Sequence, residues 1–126
     1  MSDSAAPGEL AGTLSGGELN AAITNALVRI HHKYLGRGPT TASTFHHDNV
    51  VVTLMHGVLT LAEQSLTDSS HTDAVATVRD AFQGVMAGEF TDAVERLTGR
   101  KVIEFVSGNN IERGVVSEVF VLDGNP

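Results

Sequence analysis

The sequence predicts an α+β fold: a two-layer sandwich with a mostly antiparallel four-stranded sheet and helices on one of its faces. Three observations predict it. Apolar residues recur at helical spacing in two long segments, β-branched runs come in two pairs joined by turn residues, and glycines punctuate the segment ends. Two hairpins separated by helices give the order α-β-β-α-α-β-β and favour antiparallel pairing.

Residues 1–16 are rich in Gly, Ala and Ser, with only Leu10 and Leu14 as large apolar groups, so they are expected to form a flexible tail. A single domain should then run from 17 to 123, followed by a short C-terminal tail over 124–126. Its first helix spans about Glu18 to Tyr34, where Leu19, Ile23, Leu27, Ile30 and Tyr34 share one face. Glu18 in its first turn and Lys33 in its last both suit the helix dipole. Gly36 and Pro39 end it and make Gly36-Arg37-Gly38-Pro39 a defined corner.

Thr40–His46 and Val50–His56 read as two strands around the turn His47-Asp48-Asn49. Thr60 with Glu63 three residues on is a capping box, which opens a short helix ending near Leu66. The longest helix follows from Thr72 to Thr98, with Val75, Val78, Phe82, Val85, Met86, Phe90, Val94 and Leu97 at helical spacing. Gly84 and Gly88 inside it each cost roughly 1 kcal/mol against Ala, so packing must stabilise this helix, and two glycines one turn apart admit a close backbone neighbour. Lys101–Ser107 and Val115–Leu122 are the last two strands, with Gly108-Asn109-Asn110 as their turn.

Composition excludes several classes. No cysteine occurs, which removes disulfides, thiolate metal sites and cysteine nucleophiles. The net charge of -7 disfavours a nucleic-acid partner and adhesion to an anionic bilayer. No apolar run reaches the roughly 18 residues of a membrane span, and the start has neither the basic nor the apolar region of a secretory signal. A cytoplasmic location without direct membrane insertion is expected. Phosphate-loop, nucleophile-elbow and paired-carboxylate patterns do not occur, so the chain is expected to be non-enzymatic and to carry no cofactor.

Five pieces in order and spacing carry a family resemblance: Tyr34-Leu35-Gly36-Arg37-Gly38-Pro39, Leu59-Thr60-Leu61-Ala62-Glu63, Arg79 with Phe82-Gln83, Leu97-Thr98-Gly99-Arg100-Lys101-Val102, and Glu118-Val119-Phe120-Val121-Leu122. Over about residues 17–122 the chain resembles the bacterial MpsC-like family. Asn109–Gly114 departs from the acidic, proline-containing loop usual there. The resemblance implies a small bacterial protein with an accessory or regulatory role beside a sodium-translocating, membrane-potential-generating system. It brings no catalytic residues with it.

Three sets of residues merit a structural test. Arg37, Arg79, Arg100 and Lys101 would form a carboxylate- or phosphate-binding sensor if they converged; otherwise they cap helix ends and pair with Glu63, Glu95 or Glu104. His46, His47 and Asp48, joined by His56 across the strands, offer imidazole and carboxylate groups suited to zinc or nickel. Adjacent strand residues point to opposite faces, however, so the turn would have to reorient one histidine. Finally, Val115, Val119 and Val121, together with Val116, Phe120 and Leu122, make the last strand apolar on both faces. That pattern points to a homodimer joined by sheet faces or edges, with a central position for this strand as the alternative. The leading expectation is a homodimeric accessory protein that acts through protein–protein contacts, with a protein partner in a membrane transport system.

Overall fold

The computed structural model describes residues 14–126. Most of the expected tail lies outside the described residues, but Leu14 already packs against the core, so the fold begins earlier than composition implied. Helix α1 spans Gly16–Leu35 and stops at Gly36, whose φ of 76° is left-handed and whose N–H closes on the His32 carbonyl. Strands β1 (Thr41–His47) and β2 (Val50–His56) form the first hairpin; helix α2 covers Leu61–Asp68 and helix α3 Thr72–Thr98. Strands β3 (Val102–Asn110) and β4 (Val115–Leu122) complete the predicted α-β-β-α-α-β-β order.

The four strands form one antiparallel sheet in the order β1-β2-β4-β3. The chain leaves β2, crosses through α2 and α3, and returns as β3 two positions away; β4 then fills the gap between them. Along β4 Val116, Glu118, Phe120 and Leu122 are buried beneath the helices, whereas Val115, Val119 and Val121 on the alternate face are half-buried. A central position therefore accounts for one apolar face of this strand and leaves the other face open. Leu19, Ile23 and Leu27 of α1, Met86, Phe90 and Val94 of α3, and Val51 and Phe120 of the sheet form the main core. Phe105 stacks on Phe120 with ring centroids 4.9 Å apart.

Three expectations need correction. The last hairpin turns at residues 111–114, and Gly108, Asn109 and Asn110 belong to β3, paired with Ser117, Val116 and Val115. The long register with β4 extends the strand through residues that usually turn. Among the described residues no backbone approaches Gly84 or Gly88, and a Cβ at either would meet nothing within 4 Å. Val78 and Val85 share the helical period of α3 but are exposed, because the apolar stripe is wider than the surface the sheet and α1 cover.

Gly57 follows β2 with φ of +64°, and a Cβ there would lie 1.8 Å from the Thr40 hydroxyl oxygen and 2.7 Å from Thr40 Cβ. Gly57→Ala should thus cost about 2–3 kcal/mol, combining left-handed strain with a clash. Gly36→Ala, with similar φ but nothing within 4 Å, should cost only about 1 kcal/mol. Thermal denaturation of the two variants separates the terms; equal losses would show that the clash relaxes freely.

Candidate functional site

The corner after α1, the capped start of α2 and the first half of α3 meet around one guanidinium. Arg79 is 4% exposed. Its Nε donates to Glu63 Oε2 at 2.8 Å and its Nη2 to Glu63 Oε1 at 2.7 Å, a bidentate pair. Nη2 also donates to the Val58 carbonyl, and Nη1 lies 3.3 Å from His31 Nε2. His31 Nδ1 lies 3.0 Å from the Arg37 carbonyl, so the imidazole donates there and accepts from Arg79 with its other nitrogen. Burial is the main cause that holds the His31 pKa below its ordinary value, and the adjacent Arg79 charge works in the same direction.

Glu63 serves twice in this node. Its Oε1 accepts the Thr60 amide at 2.8 Å while its own amide donates to Thr60 Oγ1 at 3.2 Å, closing the capping box. Burial pushes the Glu63 carboxyl upward, but the bonds from Arg79 and Thr60 outweigh it and hold the group below its usual value. These groups spend their hydrogen-bonding capacity on one another, so the node is a clamp that ties three chain segments together.

Above the clamp lies an apolar groove of about 330 Å³. Tyr34 of α1, Ala62 and Leu66 of α2, and Val75, Val78 and Phe82 of α3 line it. Leu66 and Val78 at its rim are 39% and 44% exposed, while Val75 in its floor is fully buried. A larger hollow of about 440 Å³ runs between α1 and α3, but Arg29, Lys33 and Arg96 there mix with Glu89 and Asp92, which makes it polar outer surface. Lys33 and the Tyr34 hydroxyl both bond Glu89 across it.

The predicted basic corner does not assemble. Arg79 is buried in its pair with Glu63, and Arg37 donates to the Leu59 carbonyl nearby. Arg100 and Lys101 lie beyond the other end of α3, about 30 Å of helix away, beside Asp92, Glu95 and Asp123. Arg100 Nε donates there to the Asn125 carbonyl. Pairing with Glu63, the alternative visible in the sequence, is what Arg79 does.

The histidines do not converge either. His46 turns toward α1 and meets Asn20 Oδ1 at 2.6 Å, whereas His47 is on the opposite face beside Asp48. His56 pairs with Thr41 at the other end of the hairpin, about 17 Å along the strands from His46. Among the described residues no group of three His, Cys, Asp or Glu could hold a metal ion. The strand alternation and hairpin register forbid this arrangement.

One buried group was not singled out from sequence. Glu118 is 1% exposed, and its carboxyl is pushed up to about 7 by burial, opposed by Ser107 and Gln83. It belongs to a polar row, Thr44-Thr53-Glu118-Ser107, that crosses the inner face of the sheet. Thr44 and Thr53 bond each other at 2.7 Å, and Gln83 Nε2 reaches Glu118 at 3.4 Å. The signal was present, since Glu118 shares the alternation of Val116, Phe120 and Leu122.

On the outer face the strand register aligns Phe45, Val52, Val119 and Val106 in one apolar row across all four strands. The neighbouring row runs His47, Val50, Val121 and Glu104. Among the described residues no helix covers this face.

A family described as the Na+-translocating membrane potential-generating system (MpsC) matches residues 15–124. The chain belongs to the MpsC family. Its MpsC region includes the clamp, the groove and all four strands. The chain is also similar to the uncharacterized protein YrhF of Bacillus subtilis (strain 168), with 28% identity over 102 residues, covering 79% of this chain and 84% of that relative. No significant match is found among solved structures.

Proposed function

We propose that this MpsC-family chain is a non-enzymatic accessory protein of the cytoplasm, which docks a protein partner in a cation-transport or membrane-potential system. The observation that carries this reading is the apolar groove held open over the Arg79–Glu63–His31 clamp. Three helices border it, and the clamp beneath them fixes their spacing, so a partner's apolar side chain enters a preformed site with little ordering cost. Its size suits one or two large side chains on an amphipathic segment, the helix-in-groove mode of recognition. The family's printed description supports placing that partner in a sodium-translocating system. No helix among the described residues is long and apolar enough to cross a membrane, which is consistent with a role beside the transport machinery.

Gentle crosslinking and affinity purification from the native organism test the proposal. The wild-type chain should recover a subunit of a cation-transport complex, and Val78→Arg at the exposed groove rim should lose it at least tenfold while retaining the wild-type melting temperature. Equal recovery by the variant would exclude the groove, and recovery of no membrane-transport or regulatory protein would sink the function.

A further inference from the structure

We infer that a second copy of this chain covers the outer sheet face, related to the first by a two-fold axis that runs parallel to the strands along the β2–β4 seam. This surface is separate from the docking groove, so the assembly and the proposed partner do not compete.

The argument rests on the order of residues across the sheet. An axis along the seam lays β1 of one copy over β3 of the other and sets each row on its own reversed copy. Phe45 then packs on Val106 of the other copy, and Val52 on Val119. Phe45 and Val106 are 51% and 53% exposed in the single chain, so this contact removes their apolar surface from water.

The next row decides the orientation, because it ends in His47 on β1 and Glu104 on β3. Reversal brings each His47 over the other copy's Glu104, so two polar contacts form symmetrically at the rim. An axis running across the strands instead would stack this row on the Thr41 row and leave both carboxylates without a histidine. Packed sheets cross at about 30°, which displaces these rim residues by about 6 Å and leaves the pairs within side-chain reach.

The alternative, edge-to-edge pairing through β3, is less suited to this sheet. The free edge of β3 carries an irregularity between Val102 and Glu104, and such bulges interrupt the ladder another strand would need. Four strands about 4.8 Å apart and seven residues long present a footprint of roughly 440 Å² per copy. Two copies thus bury about 900 Å² of projected area, which places the contact among weak, reversible interfaces.

Sedimentation of the purified full chain tests this. The wild type should show a reversible monomer–dimer equilibrium, and Val106→Lys should shift it to monomer while matching the wild-type melting temperature at dilutions where both are monomeric. His47→Glu should weaken association about tenfold at low salt by facing like charges, and the double variant His47→Glu/Glu104→Lys should restore it. A wild-type chain that stays monomeric up to millimolar concentration overturns the inference, as does a dimer indifferent to Val106→Lys or a charge exchange that restores nothing. Loss of the transport partner in the crosslinking experiment would leave this result unaffected, so the two readings fail separately.

Discussion

Glu118→Gln is expected to stabilise the chain by about 3 kcal/mol at pH 8 and to leave it nearly unchanged at pH 4. The carboxyl is buried on the inner sheet face and titrates near 7, against an ordinary value of 4.5. Between those values the unfolded chain has released its proton while the folded chain retains it. The unfolded state therefore binds fewer protons, and stability falls as pH rises. The contribution is fully present below the unfolded value, is lost progressively toward pH 7, and levels off above it. A gap of this size corresponds to about 3 kcal/mol at 1.4 kcal/mol per unit. Glutamine keeps the shape and cannot ionise. Urea denaturation of both proteins across this range should give curves that meet at acid pH and separate above neutrality. A constant difference at all pH values would show that burial does not control this carboxyl.

The second large effect concerns the clamp. Arg79→Met should cost about 3–5 kcal/mol, because it strands the buried Glu63 carboxylate and removes the donor to the Val58 carbonyl. Surface ion pairs elsewhere, such as Lys33 with Glu89, should matter far less, since water screens both groups. The double variant Arg79→Met/Glu63→Gln should recover much of the loss, because the unpaired charge goes with the acid while an amide can still meet the Thr60 cap. A double-mutant cycle by urea denaturation measures the coupling. Strict additivity of the two substitutions would mean that the pair contributes nothing beyond its separate side chains.

The local signals in the chain were legible for a physical reason. A capping box, a left-handed glycine after a helix and a helical apolar period are each complete within a few residues, so Thr60-Glu63, Gly36 and the span of α3 could be read directly. The basic corner misled because a list of cations carries no distances: α3 itself separates Arg79 from Arg100. The histidine set failed through register, since one residue changes the face and a few residues change the end of a hairpin. Gly108-Asn109-Asn110 failed as a turn because pairing to β4 overrode local turn preference.

By itself the sequence determined the α+β class, the order of elements and most of the inward faces of α1 and α3. Those follow from period, punctuation and backbone sterics, all of which act over short spans. Only the tertiary structure decided that β4 lies between β2 and β3, that Arg79 finds Glu63 and His31, and that Glu118 is sealed from water. Those outcomes depend on strand pairing and burial between residues far apart in the chain, and the low dielectric that pairs one charge and neutralises another exists only once the helices have closed on the sheet.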